Sequence, residues 1–546
     1  MRVLMAALLL LAAAQPCSAE DPGASSLGEG IYRLGVLPSG KPLQGERDSI
    51  AVEGPTAACV NCHRRSGLGA TEGRILIPPI TAKYLFRVRG PKSDAGQMPG
   101  PEAPVAYRGP YTEATLARAI REGIGFDGHR FGELMPHYAL DDASMAILIA
   151  YLRQLSSGPV PGVGDEVLDF ATIITPDADP VLRQGVLEVL SKFFDNKNEF
   201  FREQSPPLQS SRNIHYRVVR KWKLHVWELT GPAESWEQQL HQRLRAEPVF
   251  AVISGLGGKT WAPVHRFCEA ESLPCLFPNV DLPVVAEADF YPLYFSKGVL
   301  LEAQLLARRM TEKARAVGLR RVVQVYRSGD IGEAGAHELR AGLAAQGIEV
   351  LDRPLAPAAK AQTVSEAVKS VRVRDALILW MGPKDLRALP RSPPPGALLY
   401  ASGLMGGLEH APLPASWRTT TDLTYPFDLP DDRRLRMTFP LGWLKIRHIE
   451  VVDERIQTDT YVACGILADV LGPMLDNFVR DHLLERLETM LSARTRNGYY
   501  ARLGLGPGQR FASKGGYLVH FADAQGAKVV ADHLYPTLRN LVDAMQ

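Results

Sequence analysis

From residue 165 to residue 546, apolar runs of strand length alternate with amphipathic stretches of helix length, and this alternation limits the possible folds most narrowly. Phe170 to Ile174 precedes Val181 to Phe194, and Val249 to Ser254 precedes Trp261 to Glu271. Farther on, Val322 to Tyr326 precedes Glu333 to Gln346, and Ala376 to Trp380 precedes a short helical pattern near Lys384 to Leu389. An apolar run without polar alternation reads as a strand buried on both faces, and crossover helices between such strands make them parallel. The pattern predicts parallel sheets covered by helices on both sides. It is too long for one doubly wound lobe, so two lobes with a cleft between them are expected.

Ligands of open parallel sheets bind beyond the carboxyl ends of the strands, where loops and helix N-termini present free N–H groups. That rule selects Thr175 to Asp179, Ser254 to Thr260, Arg327 to Gly332, Met381 to Lys384 and Ser402 to Gly407. Asp177 and Asp330 are candidates to receive an ammonium group, and each is also placed to cap a helix. Trp261 and Trp380 either line the cleft or pack behind it. No Ser-His-Asp arrangement, His-Glu-x-x-His spacing or dinucleotide fingerprint occurs, so a binding or electron-transfer role is expected rather than an enzyme. His215, His225, His241 and His265 are scattered and read as structural.

Ser-Ser-Gly-Pro-Val-Pro-Gly-Val-Gly at 156 to 164 breaks helix and strand alike, and residues 158–164 are read as a linker. Ahead of it lies Cys59-Val-Asn-Cys62-His63, the spacing at which two thiols capture haem vinyl groups and the adjacent imidazole ligates iron. A zinc half-site lacks a second close ligand pair, and a redox dithiol has no need of His63. One covalent haem c is the expected cofactor. Met135 is the expected sixth ligand, with Met98, His129 and His137 as rivals. A helix is expected over Glu113 to Glu122, and another opens at Asp141 with Met145, Leu148, Ile149, Leu152 and Leu155 on one face.

The early Cys-x-x-Cys-His, the late Met135-Pro136 and the closing Ala150 to Leu155 resemble the class I cytochrome c family over about residues 28–157. The resemblance implies an all-α cytochrome c domain with Cys59 and Cys62 as thioether links, His63 as proximal ligand and Met135 as distal ligand. It also implies a proline carbonyl orienting the proximal imidazole, supplied by Pro78 or Pro79. The Gly- and Pro-rich segment from Arg87 to Tyr107 reads as an insertion over one haem edge. The segment Pro248 to Pro278, the long helical run from Tyr294 to Met310 and the unit Arg321 to Gly347 resemble the type I periplasmic binding proteins, which bind branched amino acids and amides. That resemblance covers about 165–546. It implies a two-lobed α/β domain closing on a small polar ligand, whose carboxylate Ser254, Gly257 and Thr260 would hold.

The first residues carry Arg2, an apolar run from Leu4 to Ala14 and a small-residue end, which reads as a secretory leader cleaved near Ala19. The run is too short to span a bilayer, so a periplasmic protein with no membrane span is expected. The net charge of +2 falls by one with the leader, and no basic field for nucleic acid is present. The cluster at Arg217, Arg220, Lys221 and Lys223, interleaved with Val218, Val219 and Trp222, reads as an edge strand. Whether Cys268 and Cys275 pair is left open, and Cys464 reads as a buried thiol. Together these features suggest a periplasmic mono-haem electron carrier, with redox partners such as a dehydrogenase or terminal oxidase chain and a module for ligand sensing or docking. The alternative is a solute receptor of ABC-transporter type with a redox-reporting haem.

Overall fold

The computed structural model describes residues 22–73, 75–87, 109–132, 134–203, 220–286, 288–474 and 477–535. The expected leader, Met98, most of the expected insertion, His215 and Arg217 lie outside the described residues. The chain divides into two units, Met1–Gly158 and Pro159–Gln546.

In the first unit, the helix Glu113–Glu122 opens on Thr112, whose hydroxyl accepts the Thr115 N–H, and closes on left-handed Gly123. The helix Asp142–Gln154 opens on Asp141, whose carboxylate accepts the Ser144 N–H at 2.6 Å. Its apolar stripe, Met145, Leu148, Ile149 and Leu152, is buried with Leu116 and Ile120 of the earlier helix. The helix Pro22–Glu29 lies against Asp142–Gln154, and Gly28 makes the close approach possible: a Cβ there would stand 2.4 Å from Tyr151 Cβ. Gly28→Ala is therefore expected to lower this unit's stability by about 1–3 kcal/mol, read as a reduced denaturant midpoint.

The all-α expectation for this unit is corrected. Gln44–Arg47, Ile50–Glu53 and His137–Tyr138 form a three-stranded antiparallel sheet, and Ala70–Glu72 pairs with Ile75–Ile77. Asp48 and Ser49, both at positive φ, make the two-residue turn that joins the first pair. These strands are short and largely exposed, so no hydrophobic period announces them.

The second unit holds two sheets. The first is all parallel, in the order Pro292–Leu293, Cys275–Leu276, Ala251–Ile253, Val167–Ile174, Lys221–Glu228. The second runs Glu349–Leu355, Arg321–Arg327, Ala376–Trp380, Leu398–Ser402, Thr421–Tyr425 in parallel, and Gly516–Phe521 and Val529–Tyr535 extend it antiparallel. Ala251–Ile253 and Ala376–Trp380 are buried throughout, as strands covered on both faces must be. Lys221–Glu228 lies at the edge, with Trp222 inward. Residues 159–164 are not a free linker: Gly162 accepts the Asp169 N–H and Gly164 donates to Val167.

The helices Pro430–Ile446, Glu454–Leu471 and Arg480–Met490 pack back on the first sheet. Leu444 and Ile449 meet Val189 of the helix Pro180–Glu203, and Arg480 donates to the Val249 and Phe250 carbonyls. The chain therefore passes between the two lobes three times, near 294–298, 426–430 and 494–515. The long helix starts at Val299, later than expected, because Gly298 turns the chain at φ 54°. Cys464 is fully buried. No helix among the described residues is long and apolar enough to cross a membrane.

Candidate functional site

In the first unit, Cys59 ends a short loop and Val60–His63 makes one helical turn, with the His63 N–H bonded to the Cys59 carbonyl at 2.9 Å. Asn61 Nδ2 donates to the Pro55 carbonyl at 2.8 Å and fixes the start of that turn. His63 Nδ1 meets the Pro78 carbonyl at 3.0 Å, so of the two prolines it is Pro78 that orients the ring. A carbonyl can only accept, so Nδ1 carries the proton and Nε2 keeps its lone pair. Burial lowers the His63 pKa, against the pull of the Pro78 carbonyl, which keeps the imidazole neutral. Burial likewise pushes the Cys59 thiol up to about 12, and Tyr138, whose hydroxyl donates to the Ala57 carbonyl at 2.9 Å, also bonds this thiol.

Met135 is half-buried and packs with Cys59 against one apolar cluster that includes Ile31, Leu116 and Met145. His129 is exposed on a turn, and the His137 ring lies over Gly123. A neutral imidazole with a free Nε2, a thioether and two thiols three residues apart is a donor set that fits a covalent haem. Cys59, Cys62, His63 and Met135 would hold it.

In the second unit, the five residues expected to bind a ligand are engaged within the fold. Asp177 accepts from Thr175 Oγ1 at 2.6 Å and from the Lys259 N–H at 2.7 Å, so it braces the loop after Ile253. Ser254 is fully buried; its hydroxyl donates to Thr460 Oγ1 at 3.1 Å and accepts from Asn279 Nδ2 at 3.0 Å. Gly257 lies under the Trp261 ring, where a Cβ would stand 2.7 Å from it. Thr260 accepts the Ala262 N–H, and Asp330 caps Ile331–Leu343 through the Ile331 N–H at 2.8 Å. Trp261 and Trp380 are buried in the cores.

None of the five lines the cavity that does lie between the lobes. Its free volume is about 20 Å³, and the three crossings supply Tyr294, Phe295, Ser296, Gly298, Phe427 and Tyr500. Pro278 to Asp281, Leu404, Arg455 and Asp459 complete it. Arg455 stands 3.1 Å from Asp281 and 3.9 Å from Asp459, and Tyr500 donates to Asp459 Oδ2 at 3.2 Å. Burial opposes the Arg455 charge, yet Asp281 and Asp459 hold its pKa above the ordinary value. Burial pushes the Asp459 carboxyl up to about 7, against the pull of Arg455 and Tyr500. Asp459 Oδ1 and Asn279 Oδ1 are buried with no hydrogen-bond partner among the described residues. The one clue in the sequence was an Arg and an Asp four residues apart in the first turns of the helix Glu454–Leu471.

Beside this cavity, Glu302 is fully buried and accepts from Ser402 Oγ, the Leu404 N–H and Thr424 Oγ1. Burial raises its carboxyl from 4.5 to about 7 in spite of these donors. The folded state then binds a proton that the unfolded state has released, so stability falls as pH rises from about 4.5 to about 7. Glu302→Gln is expected to flatten this decline by up to about 3 kcal/mol, read from unfolding midpoints across that window. Asp422, His520 and Asp532 also meet, with one ligand atom each within 4.8 Å. Arg309 lies 4.0 Å from Asp422, and we read the group as an ion-pair cluster. Cys268 and Cys275 are buried, with their thiols in hydrogen-bond contact.

No family model matches the chain, and no curated protein does. Among solved structures, it is similar to a branched-chain amino acid ABC transporter protein from Thermus thermophilus with bound valine, at 9% identity and TM-score 0.49, covering 69% of this chain and 99% of that one. A fatty acid ABC transporter substrate-binding protein from Thermomonospora curvata gives 14% identity and TM-score 0.48, covering 70% and 95%. A solute-binding protein from R. palustris in complex with benzoate gives 14% and 0.48, covering 67% and 96%. All three are described as proteins of ABC transporters.

Proposed function

We propose that the chain is a receptor for a small solute, and that its first unit carries one covalent c-type haem. The receptor part rests on one observation: Asp459 and Asn279, which line the cavity at the three crossings, each have a buried acceptor, Oδ1, that no described residue satisfies. Buried acceptors without partners cost free energy, and a ligand that donates to them relieves that cost. Three crossings let one lobe rotate on the other, so closure would bury such a ligand. The likeness to ABC-transporter binding proteins is consistent with this reading and suggests a transport complex as partner.

The haem part is supported by the Cys59, Cys62, His63 and Met135 donor set. When bound, haem would supply a one-electron redox couple. Pro78 holds the His63 ring in the tautomer that leaves Nε2 open, and Tyr138 braces the loop that carries Cys59. Cys-x-x-Cys-His also keeps the electron-carrier reading alive, in which a dehydrogenase or oxidase exchanges electrons with this unit. The proposed location is the periplasm, with the leader removed near Ala19.

Two measurements on the full-length protein test both parts. A visible spectrum of the reduced and oxidised forms is expected to show a c-type haem with methionine ligation, and Met135→Ala is expected to make the iron accessible to carbon monoxide. Calorimetry with small solutes is expected to show one binding site. A coloured protein that binds no solute yet is rapidly oxidised by an oxidase would favour the electron carrier instead.

A further inference from the structure

A second cavity lies where the helices Pro430–Ile446 and Glu454–Leu471 meet the segment 494–498. It shares no lining residue with the cavity between the lobes, and its free volume is about 200 Å³ against about 20 Å³ there. A cavity of roughly 150 Å³ holds a molecule the size of benzene, so a small organic ligand fits. Three guanidinium groups line it, those of Arg436, Arg494 and Arg496, against one carboxylate, that of Asp469.

Two of the three cations are matched. Arg436 pairs with Asp428, and Arg494 pairs through Nη1 with Asp469. The Asp469 side chain is 58% exposed, so water screens that second pair. Arg494 Nε donates to the Arg496 carbonyl at 3.2 Å, which leaves Nη2 without a partner among the described residues. Gly465 makes room for it: a Cβ there would stand 2.9 Å from Nη2. Arg496 has no acid partner among the described residues; its Cζ lies 4.3 Å from the centre of the Phe439 ring, and its N–H edges stay open. The Tyr461 hydroxyl likewise has no hydrogen-bond partner among the described residues. These three groups are close enough to act on one another. Burial raises the Tyr461 pKa while the charges of Arg494 and Arg496 pull it down, and Arg496 adds to the lowering that burial imposes on Arg494.

We propose that this cavity binds a small organic monocarboxylate, which accepts from the Arg496 guanidinium, Arg494 Nη2 and the Tyr461 hydroxyl. Neighbouring guanidiniums repel, and an oxyanion between them replaces that repulsion with two attractions. The charge count selects a single negative charge: with Asp428 and Asp469 set against Arg436 and Arg494, one cation, Arg496, is left over. The rest of the wall selects carbon. Phe193, Phe439, Pro440, Val462 and Ala468 have side chains with no donor for the further oxygens of a phosphate, which would be left unpaired against them. Arg494 and Arg496 belong to the third crossing and Tyr461 to the helix Glu454–Leu471, so the carboxylate would tie that crossing to the first lobe.

The test is titration calorimetry and thermal unfolding of the full-length protein with sodium butyrate, sodium benzoate, inorganic phosphate and n-butylamine. At least one of the two carboxylates is expected to bind at one site and to raise the unfolding temperature. Arg496 is exposed, so Arg496→Gln keeps the fold. That variant is expected to weaken the carboxylate about tenfold or more, and Arg496→Lys, which keeps the charge and loses the fork, to weaken it less. Tyr461→Phe is expected to weaken it several-fold. Carboxylate binding that Arg496→Gln leaves unchanged would put the ligand elsewhere and overturn the proposal, without touching the receptor reading of the crossings. Tighter binding of phosphate or butylamine than of either carboxylate would overturn it too, and so would binding of none of the four.

Discussion

Protein carrying Cys59→Ala and Cys62→Ala together, made in a host competent for cytochrome maturation, is expected to lose its covalent pigment completely. The intact chain should keep one haem through denaturing electrophoresis, because thioether bonds survive what axial ligation does not. The physical basis is the turn Val60–His63, which sets both thiols and the imidazole on one short helical segment. His63 is pre-oriented by Pro78 at 3.0 Å and needs no rearrangement to present Nε2. Each single variant should retain one link and still stain. Pigment bound covalently to the double variant would remove the haem assignment.

Arg455→Met is expected to cost the second unit about 3–5 kcal/mol, because it leaves buried Asp459 beside Asp281 with no cation. The loss should depend on pH, and the sign follows from Asp459. Its carboxyl is already raised to about 7 by burial, and removing Arg455 raises it further. Below that range Asp459 takes up a proton and the variant loses little; above it the carboxylate stays ionised and unpaired. Denaturant midpoints at pH 5 and pH 8 would show this as a gap between variant and parent that widens at pH 8. An equal loss at both would mean that Asp459 does not sense Arg455.

The elements with a strong period were legible from the residues alone. Asp141 followed by the stripe from Met145 to Leu152 announced a capped helix, and the solid apolar runs Ala251–Ile253 and Ala376–Trp380 announced parallel strands. The strands at Gln44–Arg47 and Ile50–Glu53 were not, since they are polar, exposed and held by a turn of non-glycine residues at positive φ. At Cys59 to His63 the spacing alone carries the haem expectation, because three of the four expected donors sit within five consecutive residues. The cavity was illegible for the opposite reason. Asp281 and Arg455 are 174 residues apart, and no local signal tells that the chain brings them to 3.1 Å. Ser254 and Asp330 looked like ligand residues because strand-to-helix turns draw hydroxyls and carboxylates as caps. In this fold that is how Asp330 is used, while Ser254 bonds Thr460 on a helix that arrives much later in the chain.

That late arrival governs how the second unit reaches its native state. Arg480 bonds the Val249 carbonyl across 231 residues, and the helices from 430 to 490 cover a sheet whose strands were all complete by residue 293. The first sheet therefore waits, one apolar side uncovered, while the whole second sheet's parallel core is being made. Contacts of such long range are slow to form and leave sticky surface exposed meanwhile. A newly made chain of this design depends on protection during that interval more than one whose lobes are continuous in sequence.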